Sequence, residues 1–415
     1  MTRITVIGGG IIGLFCAYYL KKTGHTVRLI EARDQYEGAS SINAGLFCPS
    51  HFIALAEPSM KNKSFQWIIR PSSPLYVQPR LDLNFIRWGW QFFNNANADH
   101  VAKSIQPLLN ITLLGKNLFE KFLEEENINE HLYSSKGLLM MYSDEKNGNK
   151  ERKTGDKARN LGLNVEDLDR HKLLELEPSI SSIVKGAVHY KCDSHSTPAK
   201  IMDALKYKIR DLGVELHYGM KVTGFEKINH QINIIHSEQQ DFKTDIAILA
   251  CGAWSPILAK SLGIPMLIEA GKGYSVDVST PRKIKYPSIL IEPKTAITPM
   301  ESFLRISGKM ELMGLNARIR KNSIITLTNA LKAFYRDIEV TKENLINISS
   351  GYRPLSVDGL PLIGRSSAIS NLFIATGHGM LGWTMAAATG KIITELIQES
   401  NTSIPVDAFR PERSF

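Results

Sequence analysis

The tightest grouping of residues able to do chemistry lies at the start of the chain. Gly8-Gly9-Gly10-Ile11-Ile12-Gly13 has the spacing G-x-G-x-x-G, and Glu31 follows 18 residues after Gly13. Gly8 permits a tight turn, Gly10 lets the backbone approach a pyrophosphate, and Gly13 lets a helix pack on a strand. The N-terminus of such a helix offers free amides and positive dipole to phosphates. An acid ending the next strand accepts from ribose hydroxyls, and an acid rather than an arginine there disfavours a 2′-phosphate. The expected ligand is FAD or NAD. A second glycine cluster, Thr376-Gly377-His378-Gly379-Met380-Leu381-Gly382-Trp383-Thr384, lies near the other end. Its amides suit a second part of a large cofactor, which favours a flavin. A plain strand-to-helix turn is the alternative.

Those residues need elements to hold them. Arg3–Ile7 is a β-branched run that reads as a buried strand, and helical periodicity follows from Ile11 to Lys22, closed by Gly24. Thr26–Ile30 reads as the next strand and ends in Glu31, completing a βαβ unit. Helices are expected at 107–126 and at 198–212, the latter with Thr197 as N-cap and Pro198 in its first turn. Residues 214–219 and Asp245–Ala250 read as strands, and 265–315 as a mostly-β region rich in Pro and Gly. A strand at 371–376, the glycine turn and a helix from about Trp383 to Gln398 close the chain, so the nucleotide-binding part is expected to be discontinuous.

Composition narrows the classes. In 415 residues, 43% are apolar and 22% charged, with 30 Gly and 18 Pro. That excludes collagenous, coiled-coil, disordered and disulfide-scaffold chains. Length favours two or three domains. The balance of 50 Lys+Arg against 41 Asp+Glu gives net +9, but the densest basic stretch, 144–159, mixes both signs and reads as a solvated face. No nucleic-acid partner is expected. The four cysteines, Cys16, Cys48, Cys192 and Cys251, never fall at CxxC spacing, so no metal site and a reducing compartment are expected. The apolar run 4–20 imitates a secretory segment, yet it carries four glycines and no small-x-small cleavage signal. The expectation is a chain mature from its first residue, with no membrane span and a cytoplasmic location.

IGGGIIGLFCAYYL, SINAGLFCPS (41–50), ILACGAWSP (248–256), GKGYS (271–275), AITPM (296–300), GYRPLSVDGLPLIGR (351–365) and ATGHGMLGWTMA (375–386) occur in order. Together they resemble the D-amino-acid dehydrogenase branch of the FAD-dependent amine oxidoreductases, relatives of D-amino-acid oxidase, glycine oxidase and sarcosine oxidase. The resemblance spans essentially the whole chain.

It implies roles. Arg353 in GYRP would hold the substrate carboxylate, which suits a guanidinium fork. Tyr352 and Tyr274 would line the pocket or pack in the core, and His378 would touch flavin or substrate or serve as a structural hydrogen-bonder. Asp358, Gly359 and Gly364 resemble a turn beside the isoalloxazine, and Gly377 to Gly382 a loop along its pyrimidine edge, with Trp383 and Thr384 following. Gly8, Gly10, Ile11, Ile12, Gly13, Glu31, Ala32 and Arg33 would hold the dinucleotide. Ser40, Ser41, Asn43, Ala44, Gly45 and Leu46 resemble the loop across the flavin face. Cys251, Gly252 and Trp254 match a strand-end motif near the ribityl chain, and Val222 a backbone contact to adenine. Nothing matches the covalent flavin cysteine of sarcosine oxidases, so FAD is expected to be non-covalent.

The fold expected is α/β, with a discontinuous Rossmann-type FAD-binding domain (1–94, 155–262 and 350–415). A smaller α+β substrate-binding domain on an antiparallel sheet takes 95–154 and 263–349. The implied reaction transfers the α-hydrogen of a D-amino acid as hydride to flavin N5 and passes electrons to a quinone or other carrier. NAGLFCPSHF and YVQPRL suggest the subgroup acting on cyclic substrates such as D-proline or cis-4-hydroxy-D-proline. A glycine or sarcosine oxidase using oxygen, and a flavin subunit of a heteromeric proline dehydrogenase, are the alternatives. Residues 64–93 hold three of the five Trp among arginines, a composition that suits either a packed cap over the flavin or a peripheral contact with the inner membrane face. Oligomeric state is left open.

Overall fold

The computed structural model describes residues 2–34, 38–60, 75–282 and 284–413. Two sheets organise these residues. The first runs Glu215–His217, Thr26–Ile30, Arg3–Ile7, Ile246–Leu249, Leu372–Thr376, Leu362–Arg365, parallel except for the last strand. Strands from the beginning, middle and end of the chain thus share one sheet, as the two glycine turns require. Its strands read as continuous apolar runs because both faces are covered. Ile4, Val6, Leu29 and Ile248 pack on one side, Ile7, Ile30, Ala247 and Leu249 on the other.

Four helices lie over the first of those faces, one of them Pro198–Asp211 through Ile201, Leu205 and Ile209. Ile11–Lys22 crosses Gly382–Ile397 so closely that a Cβ at Gly390 would lie 2.6 Å from the Phe15 carbonyl oxygen. Ala98–Glu125 packs beside them through Leu108, Ile111, Phe119 and Phe122. That helix begins nine residues before the expected start at Pro107. Asn97 caps it by accepting from the His100 amide, and Pro107 sits inside it. The helix belongs to the core of the nucleotide-binding sheet, although its residues were expected with the substrate-binding part.

The second sheet is nine-stranded and mostly antiparallel, ordered Leu345–Ser356, Ile268–Val278, Leu304–Leu312, Thr295–Pro299, Ser288–Leu290, Leu138–Tyr142, Gly186–Tyr190, Val165–Asp169, with Leu75–Val77 added on Leu304–Leu312. The strands at 165–169 and 186–190, expected with the nucleotide-binding part, pair here instead, antiparallel to each other. Neither segment was read as a strand from the sequence; only their place in the 155–262 range was expected. The charged stretch 144–159 forms the helix Glu145–Asn160, capped by the Asp144 side chain.

A buried ion pair ties the C-terminus to the turn at Asp358. Arg413 donates from Nε to Asp358 Oδ2 and from Nη2 to Oδ1, both at 2.9 Å, and the two side chains are 7% and 0% exposed. Removing one partner of such a pair strands the other charge, at about 3–5 kcal/mol. Arg413→Ala is therefore expected to lower the thermal midpoint by several degrees, more than Arg410→Ala, whose partner Asp407 is 74% exposed. Equal midpoints for the two variants would remove this role.

Candidate active site

The candidate residues gather at the C-terminal ends of the parallel strands. The Gly8 amide donates to Ile30 O at 2.8 Å, and a Cβ at Gly8, where φ is +111°, would lie 2.5 Å from Ala250 O. A Cβ at Gly13 would lie 1.9 Å from Gly8 O. Only hydrogen fits at either place, so the turn folds back on its helix as the fingerprint requires. Glu31 accepts from the Gly9 amide at 2.7 Å and from the Arg33 amide at 3.1 Å, which fixes its carboxylate beside the glycine turn. This cradle fits a dinucleotide with unphosphorylated ribose.

Around it stand the other expected contacts. The Ile11 amide, first of the helix, donates to Ser40 Oγ at 3.0 Å. Asn43 closes its own loop, accepting from the Gly45 amide at 2.7 Å and donating to Ser40 O at 2.8 Å. Ser41 is buried there, and Ala44 and Leu46 are half-buried. Cys251 Sγ bonds Ile7 O, and Gly252 O accepts from Thr376 Oγ1, joining two strand ends. Trp254 lies under the Arg33 guanidinium at 5.1 Å and meets Tyr352 edge-on at 5.5 Å. Ala32 is exposed. Val222 opens the strand Val222–Ile228 just beyond Met220, whose amide donates to Glu31 O.

Arg353 is set by its neighbours on the second sheet. It lies on Leu345–Ser356 opposite Gly271, and its Nη1 donates to Lys309 O at 3.0 Å. A Cβ at Gly273 would lie 2.1 Å from Nη1 and 2.4 Å from Cζ. The GKGYS glycine thus leaves the space that the guanidinium fills. Desolvation pushes its pKa down to about 10, so the group is cationic at neutral pH and ready for an anion.

Tyr274 does not join it. Neighbouring side chains on a strand point to opposite faces, and Tyr274 follows Gly273. Its hydroxyl donates to Glu311 Oε2 at 2.6 Å, and its ring packs with Val276, Ile306 and Leu327. Of the two roles left open for Tyr274, its contacts are those of a core residue. His378 likewise has the contacts of the structural hydrogen-bonder, one of the roles left open for it. Its Nε2 pairs with Thr389 Oγ1 at 2.9 Å, and burial pushes its pKa down to about 3, leaving a neutral ring committed to the helix behind it. The surrounding turn keeps positive φ at Gly377 (+78°) and Gly379 (+55°), and the Gly379 amide donates to Pro354 O at 2.9 Å. Met380 is exposed, while Leu381 and Gly382 lead into the helix. Trp383 Nε1 donates to Ser196 Oγ, and Thr384 Oγ1 accepts from the Cys48 amide, so both anchor the turn.

Sequence reading missed one polar cluster. Leu46–Phe47 pairs with Ser194–Ser196, and this brings Cys48, Ser50 and His51 to Cys192 and Asp193. Ligand atoms of Cys48, His51 and Asp193 lie within 4.8 Å of one another. Ser50 Oγ links the rest, donating to Asp193 Oδ2 at 2.5 Å and lying 3.1 Å from His51 Nδ1. The signal was Cys48-x-x-His51, a spacing the cysteine arithmetic did not include. Burial pushes the Asp193 carboxyl up to about 7, against about 4 in an unfolded chain. Between those values the folded protein holds a proton that the unfolded chain has released. This contribution to stability is full below about pH 4 and is lost as pH rises to about 7. Asp193→Asn is expected to flatten the fall in thermal midpoint between about pH 4 and about pH 7. An unchanged pH profile would assign that fall to other groups.

The cradle and the sheet that frames Arg353 define a dinucleotide-binding oxidoreductase. The chain belongs to the DAO family of FAD dependent oxidoreductases, which matches residues 3–396. Its cofactor is FAD. A D-amino acid dehydrogenase of Helicobacter pylori (strain ATCC 700392 / 26695) is 31% identical over 399 residues, 96% of this chain and 95% of that one. One of Granulibacter bethesdensis is 27% identical over 409 residues, 97% of each. Among solved structures, a glycine oxidase from Geobacillus kaustophilus superposes with a TM-score of 0.80 over 100% of both chains at 20% identity. An L-proline dehydrogenase from P. horikoshii gives 0.75, covering 99% of this chain and 97% of that one, at 21% identity. At these identities the two structures speak for the fold alone.

Proposed function

We propose that the protein dehydrogenates a D-amino acid, with Arg353 binding the substrate carboxylate and a cyclic amino acid such as D-proline or cis-4-hydroxy-D-proline as the substrate. The observation that carries the reading is the Arg353 guanidinium, held by Lys309 O in the space left by Gly273 on the sheet that frames the site. A bidentate carboxylate contact fixes the orientation of the α-carbon. Bound FAD supplies the hydride acceptor. The Gly8–Gly13 turn at the N-terminus of Ile11–Lys22 would hold its pyrophosphate, Glu31 its ribose, and the 40–46 loop its ring, without a covalent link. The amine gives up its proton to solvent on binding. The imino acid leaves, and an acyclic one hydrolyses to a 2-oxo acid and ammonia. Electrons pass on to a quinone or another carrier.

The exposed apolar face of Leu83–Asn95 supports a docking side for such a carrier at a membrane. On Leu83–Asn95, Trp88 and Phe92 are buried and Trp88 Nε1 donates to Leu355 O, two residues from Arg353. Leu83, Ile86, Trp90 and Phe93 of the same helix stand exposed among the described residues. Trp67 and the rest of 64–74 lie outside them. Among the described residues no helix is long and apolar enough to cross a membrane.

The test is anaerobic. D-alanine, D-proline, cis-4-hydroxy-D-proline, their L-isomers, glycine and sarcosine are added singly while the visible flavin band is followed. Bleaching by a D-amino acid, strongest for the cyclic ones and without peroxide formation in air, is the expected result. Bleaching by glycine or sarcosine with stoichiometric peroxide would replace the reading with an oxidase. A yellow protein bleached by none would point to a flavin subunit within a larger complex.

A further inference from the structure

One enclosed ion pair reaches out of the second sheet into the loop at 40–45. Arg305 on Leu304–Leu312 faces Asp277 on Ile268–Val278 in direct register. Nε donates to Asp277 Oδ1 at 2.7 Å and Nη2 to Oδ2 at 2.8 Å, with side chains 5% and 9% exposed. The remaining nitrogen, Nη1, donates to Ser41 O at 3.0 Å and Asn43 O at 2.9 Å. A buried charge pair by itself adds little net stability. What this one adds is a fork aimed at two carbonyls of another element.

The consequence follows from peptide planarity. With the Asn43 carbonyl drawn onto Arg305, the Ala44 N–H, on the opposite side of the same planar unit, must turn away from the sheet. The same loop continues through Ser40 Oγ to the Ile11 amide at the dinucleotide helix. It is also pressed from behind, since a Cβ at Gly351 would lie 2.9 Å from Ala39 Cα. Gly351 is two residues from Arg353, and Asp277 shares a strand with Gly273. Three neighbouring strands, Ile268–Val278, Leu304–Leu312 and Leu345–Ser356, therefore set both the carboxylate-binding arginine and the loop.

We propose that Arg305 is a positioning residue that orients the Ala44 amide toward the flavin and so couples the substrate sheet to the cofactor. The inference rests on the assignment of the 40–46 loop to the flavin face. An amide aimed at developing negative charge is worth about 10²-fold in rate.

The test uses the holoenzyme of an Arg305→Met/Asp277→Leu double variant, in which no buried charge is left unpaired. Expected are a thermal midpoint close to wild type, a displaced visible flavin band and FAD affinity reduced about tenfold. With the bleaching substrate, kcat falls about 10²-fold while KM stays within about threefold, because Arg353 is untouched. Wild-type spectrum, affinity and kcat in the double variant would overturn the proposal. Where the double variant does not accumulate, Arg305→Lys is read by the same criteria, since an ammonium keeps the charge and loses the fork. The spectrum and the FAD affinity need no substrate. They decide this point even if no amino acid bleaches the wild-type protein.

Discussion

Arg353→Ala is expected to lower kcat/KM for the amino acid about 10³-fold while leaving the protein yellow. The estimate comes from two charge-assisted hydrogen bonds to one carboxylate, about 1.5–3 kcal/mol each, at about 1.4 kcal/mol per factor of ten. Most of the loss should appear in KM. Some should appear in kcat as well, because an unanchored α-carbon is no longer held in line for transfer. Arg353→Lys should recover only part, since an ammonium lacks the planar fork. The sharper variant is Gly273→Ala. It leaves the arginine in place but sets a methyl 2.1 Å from Nη1 and 2.5 Å from Nη2. The guanidinium then has to leave its anchor at Lys309 O, so KM should rise about tenfold or more with little change in FAD content. Steady-state kinetics on the three variants check this. Wild-type KM in Arg353→Ala would take the carboxylate off this residue altogether.

The difference between Arg353 and Tyr274 shows what the sequence carried. The βαβ unit at 3–31 was legible because its glycines, its helix periodicity and its terminal acid are all local and mutually consistent. Arg353 stood out through the motif around it. Tyr274 was left between pocket and core, yet Tyr274-Ser275-Val276-Asp277-Val278 alternates apolar and polar. That pattern already sets Tyr274 on the core face with Val276 and Val278, and Gly273 on the other. Its neighbour Gly273, with no side chain at all, turned out to be the position that shapes the pocket. Arg305 and Asp277 escaped notice for a different reason. Their pairing depends on the register of two strands 28 positions apart, and no local pattern encodes it. The strands at 165–169 and 186–190 were misassigned because sheet membership is a non-local choice.

Gly13→Val is expected to give a colourless protein. Inside a helix alanine and valine are favoured over glycine, by up to about 1 kcal/mol, so a loss on substitution must come from what the new Cβ meets. At Gly13 that is the carbonyl oxygen of Gly8 at 1.9 Å, its carbon at 3.1 Å and Val6 Cγ1 at 3.3 Å. None of these is the loose end of a flexible side chain. Gly8 is pinned on its other side, because its amide is bonded to Ile30 O and Ala250 O lies in the way. The helix cannot yield easily either, since Phe15 is locked against Gly390. The turn or the helix must therefore move by about 1 Å, and a displacement of that size costs about 10² in a positioned contact. FAD affinity should fall at least that far, measured by titrating apoprotein with the cofactor. Gly224→Ala supplies the control, because a Cβ there meets nothing within 4 Å and the backbone needs no positive φ. That variant should bind FAD as wild type does. A Gly13→Val protein that purifies with stoichiometric FAD would mean that the pyrophosphate does not rest on this turn, and the assignment of the helix N-terminus would have to be abandoned.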